Sequence, residues 1–352
     1  MKKIRVLVID DSALVRNILA DGLNRSPNIE VVGTAPDPFI ARDKIVQLQP
    51  DVLTLDVEMP KMDGVEFLRR LMPQYPLPVI MVSSLTVRGK QITLDALNAG
   101  AVDFVSKPTS NMMQGLSAMM GELIAKVEMA SRANVSHWKA ASRAAIAERL
   151  RQTENTALAE TTDKIVAIGA STGGVEAINR VVKGFPASMP GVVIVQHMPA
   201  GFTAMFSERL NQLGAMKAKE AAHGDRVRNG TILVAPGDRH LRVVRSGGVY
   251  TVLLEGGEKV SGHRPSVDVM MHSVAQCAGR NAVGALLTGM GADGANGLVA
   301  MRQAGARTLS QDEQSSVVFG MPKVAWERGG AERLVPLDNI AATLISYLTG
   351  GK

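Results

Sequence analysis

The chain has 352 residues, of which 46% are hydrophobic and 20% are charged, so it is long and apolar enough for about two globular domains. It has one cysteine and no apolar run near the roughly 20 residues that span a bilayer, which argues against a disulfide framework and a membrane-spanning helix. The formal net charge is +6, but the basic residues are dispersed and aromatic residues make up only 3%, so we expect neither nucleic-acid binding nor membrane insertion.

The first apolar segment, residues 4–9, bears on the expected location. Two lysines precede it, as in a signal peptide, but Asp10 and Asp11 end it and no small-residue cleavage site follows. We therefore interpret this segment as a β-strand. The single cysteine, Cys277, stands among apolar residues, and together these features make the cytoplasm the expected location.

Strand-like and helix-like segments alternate from the beginning of the chain. The predicted strands are 4–9, 29–33, 52–55, 78–82 and 102–105, and the predicted helices are 13–24, 38–47, 65–71, 90–99 and 116–129. Such alternation with short connections predicts a doubly wound parallel sheet. Sheets of this kind bind ligands beyond the carboxyl ends of their strands.

Polar residues stand at those carboxyl ends. Asp10 and Asp11 follow the first strand, Asp56 the third, Ser83 the fourth and Lys107 the fifth. Three carboxylates at one edge repel one another unless a cation lies among them, and oxygen ligands with room for water and phosphate predict a Mg²⁺ site. A carboxylate beside that ion can attack a phosphoryl group, whose oxygens would meet Lys107 and the Ser83 hydroxyl.

Three motifs in this segment resemble those of a known family. They are VIDDS at 8–12, LDVEMPKMDG at 55–64 and FVSKP at 104–108. With them, residues 1–125 closely resemble the receiver domains of two-component response regulators. The resemblance implies a flavodoxin-like domain in which a histidine kinase phosphorylates Asp56.

The same resemblance implies which side chains serve that reaction. The ligands of Mg²⁺ would come from Asp10, Asp11, Asp56 and the carbonyl oxygen of Glu58. The switch that reports phosphorylation would be formed by Ser83 and Phe104, with Lys107 beside the phosphoryl group.

Residues 126–160 are predicted to be a linker. The segment from 131 onward is rich in Ala, Ser, Thr, Arg and Glu and has almost no large aliphatic residues. Residues 140–151 have some helical character, but a solvated linker is the better interpretation. Trp138 stands out, and we expect it to pack on a neighbouring domain.

Strand–helix alternation resumes in residues 161–350. The predicted strands are 165–168, 192–195, 231–235 and 282–287, the predicted helices are 175–182, 201–210, 266–275 and 296–304, and a hairpin is predicted from 241–244 and 250–254. The pattern predicts a Rossmann-like, doubly wound parallel sheet with one antiparallel hairpin.

The turn at 169–174, GASTGG, joins the first strand of this domain to its first helix. It matches G-x-S-x-G, in which a serine nucleophile stands on a sharp turn. It also suits a loop whose amides hold an anion, although Ser171 replaces the second glycine of G-x-G-x-x-G. A plain connection between strand and helix is a third interpretation, and the turn alone does not choose among them.

Ser171, His197 and Asp293 each follow a predicted strand of this domain. A serine hydroxyl needs a base to become a nucleophile, and that imidazole needs an anion to fix its tautomer. The order Ser…His…Asp is not that of the α/β-hydrolases, so a triad would be built on another topology. Other candidate bases and orienting groups are His223, His240, His263, His272, Asp225, Asp238 and Asp268. From residue chemistry alone the choice stays open, while the absence of a motif such as H-E-x-x-H argues against a zinc hydrolase.

Five motifs of this domain resemble those of the chemotaxis protein-glutamate methylesterase (CheB) family. They are GASTGG at 169–174, QHMPAGF at 196–202, VAPG at 234–237, HRPSVD at 263–268 and LTGMGADG at 287–294. The resemblance implies hydrolysis of glutamate methyl esters on the cytoplasmic domains of chemoreceptors, and commonly deamidation of receptor glutamines as well. A chemotaxis histidine kinase would be the phosphodonor, and the catalytic domain would need no cofactor.

The resemblance also implies the roles in that reaction. Ser171 would be the nucleophile, His197 the general base and acid, and Asp293 the orienting carboxylate, with backbone amides near Thr172 and Met290 holding the oxyanion. Residues 263–268 would line the substrate groove or cap the following helix. The unphosphorylated receiver would cover the esterase face, so residues 160–352 alone should hydrolyse faster than the full chain.

Two alternative functions belong to other classes. A nucleotide-binding second domain is disfavoured by Ser171 and by the lack of an acidic ribose partner near residue 195. A DNA-binding output domain is disfavoured because no helix-turn-helix with a basic recognition helix is evident.

Overall fold

The computed structural model of the chain describes residues 2–59, 62–84, 86–108, 112–139 and 163–350. The chain divides into two compact units, residues 1–144 and 145–352. The predicted helical stretch at 140–151 and residues 152–160 of the predicted linker lie outside the described residues. None of the described helices is both long enough and apolar enough to cross a membrane.

The N-terminal unit is a five-stranded parallel sheet with strand order β2-β1-β3-β4-β5. Its strands are β1 Ile4–Ile9, β2 Ile29–Ala35, β3 Val52–Asp56, β4 Val79–Ser83 and β5 Asp103–Ser106. Its helices are α1 Ala13–Asn24, α2 Pro38–Leu48, α3 Gly64–Gln74, α4 Val87–Asn98 and α5 Met112–Ala130. Every residue of β3 and β4 is buried, as expected for central strands covered by helices on both faces.

Side-chain caps determine where four of these helices begin. Ser12, Asp37, Asp63 and Thr86 each accept a hydrogen bond from a backbone amide in the first turn. Such caps satisfy amides that have no partner within the helix. The Thr86 cap explains why α4 begins at Val87 rather than at the predicted residue 90.

The part of the linker that is described packs on this unit. A short 3-10 turn, Ser136–Trp138, follows α5 and buries Trp138. A Cβ atom added to Gly100 would come within 3.0 Å of the Trp138 ring and of Met72. The absence of a side chain at Gly100 therefore makes room for the indole. The domain boundaries at 125 and 160 stay predictions.

The C-terminal unit is a seven-stranded parallel sheet with order β14-β13-β12-β6-β7-β9-β8 and a separate antiparallel hairpin, β10-β11. The sheet strands are β6 Ile165–Ala170, β7 Gly191–Gln196, β8 Lys217–Glu220, β9 Thr231–Val234, β12 Ala282–Leu286, β13 Arg307–Gln311 and β14 Arg333–Val335. The hairpin is β10 His240–Ser246 and β11 Val249–Glu255. The predicted fold class, a doubly wound parallel sheet with an antiparallel hairpin, is confirmed.

In the described part of this unit, six α-helices lie between or after the strands of the sheet. They are α6 Gly174–Lys183, α7 Phe202–Leu213, α8 Val267–Ala278, α9 Ala295–Gln303, α10 Met321–Glu327 and α11 Leu337–Leu348. The chain passes from β6 to β7 on one side and returns to β12 on the other, so β6 lies where the strand order reverses. In open α/β sheets the crevice at such a reversal is the usual ligand site.

Candidate active site

Three predicted residues follow neighbouring strands at this reversal. Ser171 comes directly after β6, His197 directly after β7, and Asp293 lies in the loop between β12 and α9. Strand β6 pairs with both β7 and β12, all in parallel. The three residues therefore stand at the same edge of one sheet, although 122 positions separate the first from the last in the sequence.

His197 and Asp293 are in direct contact. The distance from His197 Nε2 to Asp293 Oδ2 is 2.8 Å, and both side chains are buried. An ionised carboxylate can only accept hydrogen bonds, so Nε2 carries the proton and Nδ1 is left with a lone pair. Nδ1 is buried and has no hydrogen-bond partner. The imidazole therefore has a vacant acceptor on the side away from Asp293.

The carboxylate of Asp293 is surrounded by donors. It accepts hydrogen bonds from Ser266 Oγ at 2.7 Å and from the backbone amides of Val267 at 2.7 Å and Asp268 at 3.0 Å. Burial acts to raise its pKa, but the hydrogen bonds from His197, Ser266 and the amide of Asp268 outweigh burial and leave the pKa lowered. Asp293 is thus held as an anion at the N-terminus of α8, where the helix dipole also favours negative charge.

The turn that bears Ser171 is fixed by its backbone. The Ser171 amide donates to the Thr288 carbonyl at 3.0 Å, and its carbonyl accepts from the Gln196 side chain at 2.8 Å and from the Gly174 amide at 2.7 Å. A Cβ atom added to Gly289 would lie 2.7 Å from Ser171 Cβ. Only glycine at 289 allows the loop after β12 to approach the serine this closely.

The predicted oxyanion residues lie on the two loops that meet here. Thr172 is buried, and its carbonyl accepts from Thr288 Oγ1 at 3.0 Å. Met290 follows Gly289, and its side chain is 50% exposed. The loop around Met290 is held because Gly289 donates to the Val318 carbonyl and accepts from the Met321 amide. The backbone of both residues is therefore ordered by contacts outside the turn itself.

The rival candidate bases and carboxylates serve other contacts. His223 Nδ1 accepts from the Leu254 amide, His240 lies between the Glu258 carbonyl and the Ser266 amide, and His272 contacts the Asp268 carbonyl. Asp225 pairs with Lys219, and Asp238 pairs with Arg264. Asp268 accepts from the Gly297 amide at 2.6 Å, and its pKa is raised because it is buried and lies near Asp293.

Residue chemistry alone did not identify Gln196 or Ser266 as supporting residues of this site, and it named His263 only as a rival base. Gln196 is buried, and its Nε2 donates to the carbonyls of Ser171 and His197. Ser266 caps α8 as well as contacting Asp293, and His263 stacks on His197. All three residues lie inside the motifs at 196–202 and 263–268. The motifs therefore pointed to the right segments, but they did not indicate which contact each side chain makes. The sequence pattern that could have indicated Gln196 is a polar residue at the end of an otherwise apolar, buried strand.

The acidic cluster of the N-terminal unit also forms at a sheet edge. One carboxylate oxygen from each of Asp10, Asp11 and Asp56 lies within 4.8 Å of the others. Lys107 Nζ lies 3.0 Å from an oxygen of Asp10 and 3.0 Å from one of Asp56. Burial raises the pKa of Asp56 to about 6; Lys107 opposes this shift, while the charge of Asp10 adds to it.

The other predicted receiver residues, Glu58, Phe104 and Ser83, have contacts of their own. Glu58 lines a pocket that also includes Asp11 and Arg88, and its side chain lies 3.9 Å from Arg88. Phe104 is buried, with Lys126 Nζ 5.3 Å from its ring centre. The Ser83 hydroxyl, at the end of β4, contacts α4: Thr93 Oγ1 donates to it at 2.6 Å, and it donates to the Gly89 carbonyl at 3.3 Å.

Two family descriptions match separate parts of the chain. Residues 166–344 match the CheB methylesterase family, and residues 6–117 match the response regulator receiver domain. Among solved structures, the crystal structure of the Thermotoga maritima CheB methylesterase catalytic domain is similar to this one, with a TM-score of 0.52 and 35% identity. That similarity covers 53% of this chain and 99% of the other.

Curated relatives match over the full length. A protein-glutamate methylesterase/protein-glutamine glutaminase of Syntrophotalea carbinolica is 69% identical over 99% of this chain and 98% of its own. Proteins with the same name from Sulfurimonas denitrificans and Salmonella typhimurium are 53% and 49% identical, covering 99% and 100% of this chain and 99% of their own length in each case. Both units therefore occur together, in this order, in the relatives.

Proposed function

The chain belongs to the CheB methylesterase family, and we propose that it hydrolyses glutamate methyl esters of chemoreceptors through Ser171, His197 and Asp293. The observation that carries the proposal is the 2.8 Å contact between His197 and Asp293 at the sheet edge where Ser171 follows β6. The substrate would be the methylated cytoplasmic domain of a chemoreceptor. A protein-glutamine glutaminase activity on the same receptors is part of the proposal.

The proposed first step is attack by the Ser171 oxygen on the ester carbonyl carbon. His197 Nδ1, which has a vacant acceptor, takes the serine proton, while Nε2–H stays on Asp293 and the carboxylate offsets the new positive charge. The proton on Nδ1 then passes to the leaving methoxy oxygen, and methanol departs from an acyl-enzyme. Water attacks the acyl-enzyme by the same proton route and releases glutamate.

The same steps serve a glutamine substrate. The side-chain carbonyl carbon is again attacked by Ser171, and ammonia leaves in place of methanol. Backbone amides at Thr172 and Met290 are the proposed donors to the oxyanion, since the two loops meet beside Ser171. Because both substrates pass through the same acyl-enzyme, one site is sufficient for both activities.

The N-terminal unit is proposed to gate this activity through phosphorylation of Asp56 by a chemotaxis histidine kinase. Asp10, Asp11, Asp56 and the Glu58 carbonyl are the proposed ligands of Mg²⁺, and three carboxylates within 4.8 Å of one another fit such an ion. The bound ion would offset carboxylate charge and coordinate a phosphoryl oxygen. Lys107 lies close enough to Asp56 to contact the phosphorylated side chain.

The nucleophile is tested by methanol release from methylated chemoreceptor, with the full chain compared with Ser171→Ala. Loss of a triad nucleophile should lower kcat by several orders of magnitude, on the order of 10⁶ in a well-studied serine hydrolase. Release near the wild-type rate from the folded variant would make the turn an anion-binding loop. The gating is tested by adding a small-molecule phosphodonor, which should accelerate the wild type but not Asp56→Asn.

A further inference from the structure

The ring of His263 lies flat against the ring of His197. Their centroids are 3.7 Å apart and the planes differ by 12°. The two residues come from different parts of the sequence, His197 from the end of β7 and His263 from the loop before α8. A contact of this kind buries one face of the proposed catalytic base, so His263 lies close enough to influence how that base is held.

A closed turn sets the position of His263. The Val260 amide donates to the His263 carbonyl at 3.1 Å, and the His263 amide donates to the Val260 carbonyl at 2.9 Å. The two residues between them, Ser261 and Gly262, both have positive φ, at 54° and 82°. Positive φ at both central positions is the geometry of a tight two-residue hairpin turn. His263 is therefore carried by a backbone that has little freedom to shift.

The segment after His263 is anchored at two further points. Arg264 pairs with Asp238, and the Asp238 amide donates to the Arg264 carbonyl at 3.2 Å. Ser266 donates its hydroxyl to Asp293 at 2.7 Å, and its amide donates to His240 Nδ1 at 3.2 Å. One short, anchored segment thus contacts both the imidazole and the carboxylate of the proposed triad.

The hydrogen bond to Asp293 does not prevent rotation of the His197 ring about the axis of that bond. A single hydrogen bond fixes the direction of Nε2, but the ring can still turn about that bond and carry Nδ1 away from a substrate-facing position. A parallel ring at 3.7 Å blocks that rotation on one face. Its π surface also favours the positive charge that His197 acquires when it takes the serine proton.

We propose that His263 is a positioning residue for the esterase reaction: it stacks on His197 and holds the ring so that Nδ1 is presented to the Ser171 hydroxyl. The inference rests on the proposed function, because it assigns His197 the role of base. It gives His263 no proton transfer and no contact with substrate. What the reaction requires of His263 is a flat aromatic surface rather than a ring nitrogen.

The test uses the full chain with His263→Ala, which removes the ring, and His263→Phe, which keeps a flat ring without nitrogens. Val260→Ala is the matched control, because it truncates a side chain of the same turn that lies outside the stack. The probes are the labelling rate of Ser171 by a fluorophosphonate and the kcat and KM of methanol release. A misplaced base costs up to about 100-fold, so His263→Ala should lower both the labelling rate and kcat by roughly 10- to 100-fold.

The supporting result has three parts: KM stays within about twofold in His263→Ala, His263→Phe recovers most of kcat, and Val260→Ala behaves as the wild type. Thermal unfolding of each variant shows whether lost activity reflects lost structure.

Other results overturn the inference. His263→Phe as slow as His263→Ala would mean that the ring nitrogens matter, and a raised KM with unchanged kcat would make His263 a substrate contact. Full activity in His263→Ala would leave the stack without a role. If wild-type Ser171 is labelled while His263→Ala is labelled equally fast, the inference alone fails. If wild-type Ser171 is not labelled at all, the proposed function fails and the inference fails with it.

Discussion

Two buried aspartates, Asp293 and Asp56, lie near the carboxyl ends of central strands in the two units. They differ in how many hydrogen-bond donors surround the carboxylate. Each follows or ends a central parallel strand, and burial acts to raise the pKa of each. Asp293 receives a serine hydroxyl, two backbone amides and an imidazole, and its pKa ends lowered. Asp56 has Lys107 and one backbone amide against the charge of Asp10, and its pKa ends raised to about 6.

The difference between them follows from what each residue is proposed to do. A carboxylate that orients a histidine must stay ionised and fixed throughout the reaction, and a full set of donors achieves this. A carboxylate that becomes an acyl phosphate must keep an oxygen accessible and must tolerate a cation beside it. The donors around Asp56 only partly offset the cost of burying its charge, which suits a residue that is proposed to bind a cation and a phosphoryl group. The donors around Asp293, in contrast, are all supplied by the folded chain.

The same substitution at both sites tests this contrast, and the larger effect is expected at Asp293. In Asp293→Asn the side-chain amide can donate to His197 Nε2, which places the ring proton on Nδ1 and removes the acceptor that Ser171 needs. An equivalent change in a serine protease lowers kcat by about 10⁴-fold. Methanol release by the full chain measures this effect.

Loss of stability should accompany the loss of activity in Asp293→Asn. Ser266 and the Val267 amide donate to different carboxylate oxygens, so an amide nitrogen on either side faces a donor. A buried donor without an acceptor costs about 1–3 kcal/mol of the free energy of unfolding. Asp225→Asn is the control, since Asp225 pairs with Lys219 and the Ala222 amide instead. A variant of Asp293 that is both stable and active would mean that the donors around it are not tuned to an anion.

Asp56→Asn should change stability in the opposite direction. In buffer with EDTA, the variant loses the repulsion among Asp10, Asp11 and Asp56 and the cost of burying a charge, so the N-terminal unit should become more stable at pH 7. A shift of about 2 pKa units corresponds to at most about 3 kcal/mol. Trp138 reports the unfolding of this unit when the other tryptophan, Trp326, is replaced by phenylalanine.

The sign of the pH dependence sharpens the same comparison. Because folding raises the pKa of Asp56 from 3.8 to about 6, its stabilising contribution is complete below about pH 4 and is lost as pH rises through about 6. The advantage of Asp56→Asn should therefore grow over that interval. For Asp293 the pKa is lowered, so its contribution is present above pH 3.8 and is lost as pH falls below that value. Equal stability of Asp56→Asn and wild type from pH 4 to 8 would contradict the account of Asp56.

The alternation of strands and helices was sufficient to predict both sheets and to place Ser171, His197 and Asp293 at strand ends. It did not predict β8, β13 or β14. In β13, Thr308, Ser310 and Gln311 are polar and fully buried, so that strand has no apolar run. The stack of His263 on His197 was equally inaccessible, since it depends on a tight turn and on where that turn meets another strand. Local pattern thus locates residues along an edge, whereas ring orientation and donor sets depend on tertiary packing.

The direction of the Ser83 hydroxyl is a further feature that no sequence pattern indicates, and it gives the smallest predicted effect. Ser83 is expected to contact the phosphoryl group, yet its hydroxyl accepts from Thr93 Oγ1 at 2.6 Å inside the unit. Both side chains are buried. Reorientation of Ser83 toward Asp56 must therefore break this hydrogen bond, so Thr93 opposes the phosphorylated arrangement by about 0.5–1.5 kcal/mol.

Thr93→Val keeps the shape of the side chain and removes this hydrogen bond, so half-maximal activation of methanol release should require about two- to tenfold less small-molecule phosphodonor. In a Ser83→Ala background the same substitution should have no effect, because the partner is already absent, and this cycle isolates the pair. An equal shift in both backgrounds would trace the effect to the second contact of Thr93, with the Gly89 carbonyl at 2.7 Å, and so to α4 itself.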